Sequence, residues 1–568
     1  MKMKLNFSML NLRSGAATAL LICLLLAPVY AWQSTAAAPK VARALAPNER
    51  ALGTRVKAET IREVTSRLAS KEMEGRGTAT PGGELAARYL ADRFSKLGLK
   101  PLGDNGTYLQ AIKFSCFETL PESTLKVGDT ALKFRDEFVV APPFSSDSVD
   151  ASGAMSFVGY GITNSTLKRD DFAGLDVKGK IVVVLGGRPK NVDSAAWDKA
   201  RGPEAIIGGL VLRGVGGVII SDLTISGLAY DKLGEFLARR GVELAESPEK
   251  QASPFKLPPI VLVSEDGAQK LLSAAGSNFR ELKEKAESGE FVSRDLNKTV
   301  TLALRLKRED AVGSNVVGLM EGSDPKLKNE AVVFSAHYDA FGTASDGRIY
   351  FGAADDALGC GIVMSIAEAF AKANPRPRRS IIFLAVTGEE YGLFGSQYWV
   401  KHPTWPIEKV AADIQFDGIG SETYGPVKRL IIYGAEHSEL GSIAASVVEA
   451  TGNEVTADPF PEEGAFYRSD HYAFVVRGIP GIMMLGFPAG DMSQLRDRAK
   501  KWLVTDYHQT TDTVRPDWNW EGPRTLALVS AIVGWRVAGA DAMPSWVPTS
   551  PYNRPRGTTL PAPPQVKQ

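Results

Sequence analysis

Histidines and carboxylates recur in five short segments of the chain, and their order suggests a metal centre. In chain order they are His337 and Asp339, Asp355 and Asp356, Glu389 and Glu390, Asp417, and His508. Imidazole nitrogens and carboxylate oxygens are ligands that zinc takes in proteins. Five ligand positions suffice for two zinc ions, each with one histidine and one acid and with a further carboxylate bridging them. Cobalt or manganese could substitute in such a site.

Short apolar runs come directly before three of these positions and predict buried parallel strands. AVVFSAH ends at His337, IIFLAVT precedes Glu389, and VAADIQF precedes Asp417. Apolar runs of roughly four to eight residues are typical of strands buried on both faces. The segment ALGCGIVMSIAEAFAKANP between the first two runs has a helical pattern, which makes a β-α-β unit with a right-handed crossover. Ligands of such sheets bind beyond the carboxyl ends of the strands, so we expect these side chains to meet there.

Five motifs together resemble a known family. HYD, GAADDALG, TGEE, QFDGIG and YHQTTDT, in this order, resemble the di-zinc aminopeptidases, and the resemblance covers roughly residues 55–545. The same superfamily includes glutamate carboxypeptidase II, transferrin receptor and glutaminyl cyclase. The resemblance implies an α/β fold, with a mostly parallel twisted sheet flanked by helices, and a peptide hydrolase.

The resemblance also implies a set of metal ligands. Two Zn²⁺ ions per chain are expected on His337, Asp355, Glu390, Asp417 and His508, with Asp355 as the bridge. We predict that His337 and Glu390 hold the first ion, and that Asp417 and His508 hold the second. In relatives the peptide bond after the bridging aspartate is cis, which predicts a cis bond between Asp355 and Asp356.

Two carboxylates beside the ligands have implied roles of their own. Glu389 is the expected general base, acting on a metal-bridging water and then protonating the leaving amine. Asp339 follows His337 by two positions, so on a strand both side chains point to the same face. A zinc-bound histidine usually donates its second N–H to a carboxylate or carbonyl, and the resemblance assigns this orienting role to Asp339.

The segment FYRSDHYAF contributes three further candidates. A tyrosine hydroxyl stabilises the tetrahedral intermediate in similar enzymes, so Tyr467 is the predicted oxyanion partner; the alternative is a packed aromatic. Asp470 is expected to orient either His471 or a loop backbone. His471 itself is either a hydrogen-bond partner of a metal ligand or a structural histidine whose own hydrogen bonds are satisfied.

The chain is too long for one ordinary domain. Residues 120–305 consist of short β-like runs with abundant glycine and no histidine. FVGYGI, DDFAGLDVKGKIVVVLGGRP and VGGVIISD resemble the small β-rich protease-associated domain, which implies a lid or substrate-selecting wall; the alternative is a spacer. The predicted divisions are a signal peptide (1–31), a flexible leader (32–54), the first part of the peptidase domain (55–119), the protease-associated domain (120–305), the catalytic domain (306–543) and a Pro-rich tail (544–568).

The amino terminus has the pattern of a secretory signal peptide. Lys2, Lys4 and Arg13 precede the apolar stretch AATALLICLLLAPVYA, and cleavage after Ala31 fits the small-x-small rule. This predicts a periplasmic or extracellular protein with no stable membrane insertion after cleavage; the alternative is an uncleaved anchor. The net charge of +1 and the lack of a basic run argue against a nucleic-acid partner.

The expected activity is removal of N-terminal residues from peptides or small proteins. A carboxypeptidase or dipeptidase with the same metals is the alternative, with Arg348, Arg468 or Arg477 holding the substrate carboxylate. Glutaminyl cyclase activity is disfavoured because the full two-metal ligand set is present. A receptor on an inactive peptidase fold is disfavoured too, because all five ligands and Glu389 are retained.

Overall fold

The computed structural model describes residues 44–141, 147–200, 204–221, 230–245, 257–344, 346–418 and 420–558. The predicted signal peptide and the end of the predicted tail, 559–568, lie outside the described residues. Within the described part, the chain forms two compact units. Ser115–Asp310 form the insert unit, and the residues up to Phe114 together with those from Ala311 onward form the main unit.

The main unit begins with helices. They are α1 (Pro47–Gly53), α2 (Ala58–Leu68) and α3 (Pro81–Lys96), followed by strands β1 (Lys100–Pro101) and β2 (Leu109–Thr119), the last of which enters the insert unit. The prediction of a flexible leader is wrong for α1. Leu52 is buried, and buried Glu49 forms an ion pair of 2.9 Å with Arg536. This helix is stabilised by a partner nearly 500 positions away along the chain, which no local pattern could reveal.

The insert unit alternates strands and helices. Its strands are β3 (Thr124–Val127), β4 (Thr130–Ala131), β5 (Phe138–Ala141), β6 (Ser148–Phe157), β7 (Thr163–Asn164), β8 (Arg169–Asp170), β9 (Ile181–Leu185), β10 (Gly217–Ser221), β11 (Gly241–Leu244) and β12 (Ile260–Val263). Its helices are α4 (Ser194–Ala200), α5 (Gly209–Leu212), α6 (Tyr230–Leu237), α7 (Glu265–Ala274) and α8 (Phe279–Glu287). Strands β6, β9, β10 and β12 are parallel neighbours in that order, and β5 pairs with β12 antiparallel. Identification of this unit as a protease-associated domain stays a prediction.

The chain returns to the main unit along β13 (Arg294–Met320). The following strands are β14 (Ala331–His337), β15 (Gly342–Thr343), β16 (Ile349–Tyr350), β17 (Ser380–Val386), β18 (Val410–Phe416), β19 (Val427–Tyr433), β20 (Glu454–Val455) and β21 (Gly481–Pro488). The helices are α9 (Leu358–Ala371), α10 (Phe394–Lys401), α11 (Glu439–Ala450), α12 (His471–Val475), α13 (Met492–Thr505) and α14 (Glu521–Gly539).

The sheet of the main unit runs in the order β1-β13-β17-β14-β18-β21-β19-β20. Its centre is parallel: β17, β14, β18 and β21 are consecutive parallel neighbours. Strands β13 and β19 join the parallel centre antiparallel at its two sides. The mostly parallel α/β sheet is thus confirmed, and so is the parallel pair β14–α9–β17.

Alternate residues of the central strands enter two different cores, as the two-residue period of a strand requires. Phe334 and Phe383 pack into the core that includes residues of α2, α3, α9, α11 and α14. Val333 and Leu384 pack on the opposite face with Trp399 of α10 and residues of α12. Every residue of β14, β17 and β18 is buried, so helices cover both faces and the carboxyl ends of the strands are left for polar side chains.

Part of the predicted Pro-rich tail packs on the main unit. Trp546 and Tyr552 are buried, and Arg556 donates to the carbonyl oxygens of Val410 (3.1 Å) and Ala411 (3.3 Å). Within the described ranges, no helix is both long enough and apolar enough to span a lipid bilayer.

Candidate metal centre

Three of the five predicted ligands stand at the carboxyl ends of adjacent strands. His337 is the last residue of β14, Asp417 follows β18, and Glu390 lies in the turn after β17. Asp355 lies in the turn before α9, and His508 follows α13 with a left-handed φ of 59°. The parallel centre of the sheet therefore delivers the first three to one edge, and two loops add the others.

These five side chains converge into two overlapping groups that share Asp355. One group is His337, Asp355 and Asp417, and the other is Asp355, Glu390 and His508; in each group the candidate ligand atoms lie within 4.8 Å of one another. His337 Nε2 is 3.1 Å from Asp355 Oδ1 and 3.3 Å from Asp417 Oδ1. His508 Nε2 is 3.3 Å from Asp355 Oδ2 and 3.0 Å from Glu390 Oε2.

The grouping corrects the predicted pairing of ligands. The sequence analysis placed His337 with Glu390 and His508 with Asp417, whereas the structure places His337 beside Asp417 and His508 beside Glu390. The register of the sheet is the reason: Ala336 of β14 pairs with Phe416 of β18, so the next residues, His337 and Asp417, emerge side by side. Asp355 lies in both groups, as expected of the bridging residue.

The donors fit zinc in type and in orientation. Asp355 Oδ2 and Glu390 Oε2 are buried without a hydrogen-bond partner, although both lie within 3.3 Å of His508 Nε2. Buried oxygens are rarely left unpaired, and lone pairs that converge without bonding one another suit a shared cation. A cleft reaches this point, lined by Phe341, Tyr350 and Gln509 among others.

Glu389 lies at the edge of the first group. Its Oε2 is 3.8 Å from His337 Nε2, and its backbone N–H donates to Asp339 Oδ1 at 3.2 Å. Asp339 is fully buried and also accepts a hydrogen bond from Thr78 Oγ1 at 2.8 Å. His337 Nδ1, the nitrogen that faces away from the cluster, is 3.2 Å from the carbonyl oxygen of Asp339 and 3.7 Å from its carboxylate.

The density of buried charge perturbs several pKa values when only the protein groups are present. Burial alone would lower the pKa of His508, but Glu390 and Asp355 raise it to about 9. Burial, opposed by His508 and reinforced by Asp355, raises the pKa of Glu390 to about 7. Burial and the nearby Asp417 also raise the pKa of Glu389 well above its ordinary value, despite opposition from His337. Such mutual perturbation is typical of functional sites.

Asp355 and Asp356 have different partners, although they are adjacent. The peptide bond between them is cis, as predicted. Asp355 faces the two histidines, whereas Asp356 Oδ1 accepts the N–H of Gly359 at 2.9 Å in the first turn of α9. The second aspartate thus acts as a helix cap, and the first is left for the cluster.

Comparison with known proteins is consistent with this geometry. Residues 315–532 match the model of Peptidase family M28. This segment is an M28 peptidase domain. It contains all five predicted ligands and Glu389, and its recognition from the five motifs is confirmed.

Relatives with curated names are proteases, and the chain spans only part of their length. It is 26% identical over 392 residues to probable leucine aminopeptidase 2 of Aspergillus oryzae, covering 67% of this chain and 64% of that protein. It is 33% identical over 108 residues to a vacuolar membrane protease of Candida dubliniensis, covering 19% of this chain and 10% of that one.

Two solved structures share the fold. The aminopeptidase from Aneurinibacillus sp. strain AM-1 superposes with a TM-score of 0.54 at 18% identity, covering 86% of this chain and 95% of that one. The zinc aminopeptidase BSAP from Bacillus subtilis superposes with a TM-score of 0.51 at 18% identity, covering 84% and 94%.

The three candidates of the segment FYRSDHYAF differ in exposure and in their partners. Tyr467 is 56% exposed, and its ring packs edge-on against Phe466 and Tyr472. The expected partners of Asp470 are corrected: its carboxyl accepts from Ser396 Oγ, and its other oxygen is 3.5 Å from Gln415 Nε2.

The two roles considered for His471 stay predictions. His471 is fully buried against Phe466, with ring centroids 5.2 Å apart, and burial lowers the pKa of its imidazole to about 3. At such a pKa the imidazole is neutral near pH 7, and its ring packs as an aromatic side chain does. Asp470 and His471 therefore do not form the pair that their adjacency suggested.

The M28 domain also contains functional candidates that the sequence analysis did not single out. Tyr507 stacks on His508 with ring centroids 3.7 Å apart, and its environment includes the carboxylates of Asp355 and Glu390. Asp512 accepts backbone N–H groups next to Asp355. Both lie inside the quoted motif YHQTTDT, so their place in the motif was the available signal.

Two of the three arginines considered for a substrate carboxylate, Arg348 and Arg468, pair with acidic side chains. Arg348 pairs with Asp346 at 2.8 Å on the exposed turn between β15 and β16. Arg468 pairs with Glu463 at 3.2 Å, and its charge lowers the pKa of Tyr507 against the larger effect of burial. Of these two, Arg468 is therefore the one near the ligand cluster.

Proposed function

We propose that the protein is a zinc-dependent aminopeptidase that removes single residues from the N-termini of peptides. The observation that carries the proposal is the convergence, within an M28 peptidase domain, of five zinc-type donors in two groups that share Asp355. His337 and Asp417 would hold one Zn²⁺, Glu390 and His508 the other, and Asp355 would contribute an oxygen to each. When bound, two such zinc ions lower the pKa of a coordinated water and polarise the scissile carbonyl.

Glu389 is the proposed general base. Among the described residues, it is the one carboxylate within 4 Å of His337 Nε2 that belongs to neither ligand group. Its carboxylate would take a proton from the attacking water and return it to the nitrogen of the leaving amine. The backbone N–H of Glu389 is bound by Asp339, which helps to hold the base in place.

Two tyrosines are candidates for the partner of the oxyanion. Tyr467 is the original prediction, and Tyr507 is added because of its environment beside Asp355 and Glu390. A hydroxyl that stabilises the oxyanion contributes about 10²–10³ to kcat. Comparison of kcat for Y467F and Y507F, with zinc content measured in both, distinguishes them.

The substrate is tested with a panel of aminoacyl-4-nitroanilides, of which the leucyl compound comes first because of the Aspergillus oryzae relative. We expect release of nitroaniline that stops after chelation and returns with zinc. Glu389→Gln should lower the rate of release by about 10²–10⁴-fold while it keeps the zinc. A protein that binds zinc but cleaves only N-blocked peptides would instead be a carboxypeptidase, and one that cleaves only free dipeptides would be a dipeptidase.

Export is proposed from the sequence alone. The basic residues Lys2, Lys4 and Arg13 before an apolar stretch, and the small residue Ala31 at its end, support a cleaved signal peptide. N-terminal sequencing of the protein recovered from the periplasm or the medium should begin at Trp32. A protein that retains the apolar stretch in the membrane fraction would support the anchor instead.

A further inference from the structure

Arg76 has an unusual environment for a charged side chain. It is fully buried, and its guanidinium donates to four backbone carbonyl oxygens. Nε donates to Tyr338 (2.6 Å), Nη1 to Leu68 (2.7 Å) and Phe351 (2.7 Å), and Nη2 to Gly352 (2.8 Å). Three of these carbonyls belong to the segment between His337 and Asp355. A planar fork of five N–H donors can bind this many acceptors, whereas a lysine ammonium has only three.

The contact is close enough to constrain the sequence of the loop. Gly352 has a φ of 53°, and a Cβ on it would lie 2.9 Å from Arg76 Nη2 and 2.5 Å from the carbonyl oxygen of Asp355. The backbone of Arg76 takes part as well, because its carbonyl accepts the N–H of Ala340 at 3.3 Å. The loop is thus fitted around the guanidinium.

Asp512 binds the same loop through groups of the opposite polarity. It is 2% exposed, and its Oδ1 and Oδ2 lie 3.0 and 3.1 Å from the N–H of Ala354. Oδ2 also accepts the N–H of Asp355 at 3.1 Å, and the carbonyl of Asp512 accepts the N–H of Ala353 at 3.2 Å. Both carboxylate oxygens are therefore used on the peptide groups that carry the bridging aspartate.

The five residues 351–355 lie between a buried cation and a buried anion. Arg76 binds the carbonyls at the start of this stretch and Asp512 binds the amides at its end, and each charge interacts electrostatically with the other. A buried charge without a partner is costly, so each side chain compensates the other across the loop.

We propose that Arg76 and Asp512 form a charge clamp, meaning these two side chains acting on residues 351–355, that positions Asp355 for both metal ions. The inference rests on the proposed two-metal centre. Because Asp355 belongs to both ligand groups, a shift of its loop would weaken the binding of both zinc ions together. Loss of a ligand that belongs to one group, such as Asp417, would weaken mainly the binding of one ion.

Arg379 provides a matched control for Arg76. It too is fully buried, and it donates to Glu330 Oε2 (2.8 Å) and to the carbonyls of Val537 (2.9 Å) and Ala540. It precedes β17, at the end of the strand opposite to Glu389 and Glu390. Arg379→Lys therefore disturbs a comparable number of hydrogen bonds at a distance from the ligands.

The test is a zinc competition titration of the full-length protein against a chromogenic chelator, together with thermal unfolding of the metal-free forms. We expect Arg76→Lys to weaken the binding of both ions by about 10- to 100-fold, the usual effect of removing a partner outside the ligand set. Arg379→Lys should lower the melting temperature by a similar amount and leave zinc affinity unchanged. Equal zinc affinities in the two variants would overturn the clamp.

The electrostatic interaction between Arg76 and Asp512 is tested with Asp512→Asn and with the double variant Arg76→Met/Asp512→Asn. Removal of both charges avoids an isolated buried charge, so the double variant should lose less zinc affinity than the product of the two single losses. If the loss of zinc affinity in the double variant equals the product of the two single losses, the proposed coupling between the two charges is wrong. A wild-type protein that binds no zinc would overturn the proposed function itself, whereas wild-type binding with Asp512→Asn unaffected would overturn only the clamp.

Discussion

The two units contain the same kind of strand with different consequences. In the main unit every residue of β14, β17 and β18 is buried, and in the insert unit every residue of β9 and β10 is buried. All five are apolar runs in parallel pairs. By strand pattern alone, the two sheets predict the same architecture.

The residues beyond the strand ends distinguish the two units. After β17 and β18 come Glu390 and Asp417, which are largely buried beside histidines. After β12 come Glu265 and Asp266, which are exposed and pair with Arg280. All five histidines of the chain, at 337, 402, 437, 471 and 508, belong to the main unit. Apolar runs thus specify a sheet, and chemistry depends on whether the following polar residues are brought together out of water.

The largest expected effect is the loss of activity when the proposed general base of the main unit, which is not a metal ligand, is replaced. Glu389→Gln should lower kcat by about 10²–10⁴-fold, because the amide cannot accept a proton from water. Zinc content and melting temperature should stay at wild-type values, since Gln keeps the shape of the side chain. The measurement is kcat on leucyl-4-nitroanilide with zinc quantified in the same sample; activity near wild type would remove Glu389 from the mechanism.

The pairing of ligands can be tested by zinc stoichiometry after dialysis. Asp417→Asn and His337→Asn should each lose the same ion, so their double variant should retain about one ion per chain. Asp417→Asn combined with His508→Asn should retain none, because the two residues belong to different groups. Retention of one ion in that second double variant would restore the pairing first predicted from the sequence.

A matched pair of core substitutions compares the two units directly. Leu384 in β17 and Leu262 in β12 are at most 1% exposed, and replacement of either by Ala should lower the free energy of unfolding of its unit by about 2–5 kcal/mol. Only Leu384→Ala should also lower zinc affinity, because β17 leads to Glu389 and Glu390. Urea unfolding and zinc titration measure both effects. A fall in kcat for Leu262→Ala at full zinc occupancy would favour the lid interpretation of the insert unit over the spacer.

The pKa of His508 predicts proton release on zinc binding. With the protein groups alone its pKa is about 9, above the ordinary 6.5, so at pH 7.5 the imidazole is protonated and must lose its proton to bind zinc. Zinc affinity should therefore rise as the pH rises towards about 9. Considered alone, the raised pKa of His508 contributes stability to the metal-free fold that is fully present below pH 6.5 and is lost as the pH rises through about 9.

Titration calorimetry in buffers of different ionisation enthalpy counts the released protons. His508→Asn should reduce the count. The exposed His402, whose ring lies at a tilted angle to that of Tyr398, supplies the control, because His402→Asn should leave the count unchanged. An equal reduction in both variants would contradict the assignment.

The smallest effects are expected at the strand ends of the insert unit. Glu265 pairs with Arg280 at 3.3 Å and Lys283 at 3.0 Å, and about half of its side chain is exposed. Exposed pairs contribute about 0–1 kcal/mol, so Glu265→Gln and Asp266→Asn should change the melting temperature little and leave zinc content and kcat unchanged. A loss of activity in either would mean that this unit, too, contributes chemistry from beyond its strands.

The sequence alone determined the elements of the main unit and the identity of the converging donors. Apolar runs that end at His337, Glu389 and Asp417 were sufficient to predict parallel strands with their carboxyl ends at one edge. These are local patterns, set by burial of whole strands, and the five motifs added the cis bond at Asp355 by resemblance.

Tertiary structure decided which donors share a group and what holds them. The pairing of His337 with Asp417 depends on the register between β14 and β18, which is set by packing across the sheet. Arg76 reaches Phe351 and Gly352 across some 275 positions of sequence, and Asp512 reaches Asp355 across 157. Contacts of such long range leave no periodicity in the chain, because they arise only when separate elements fold against one another.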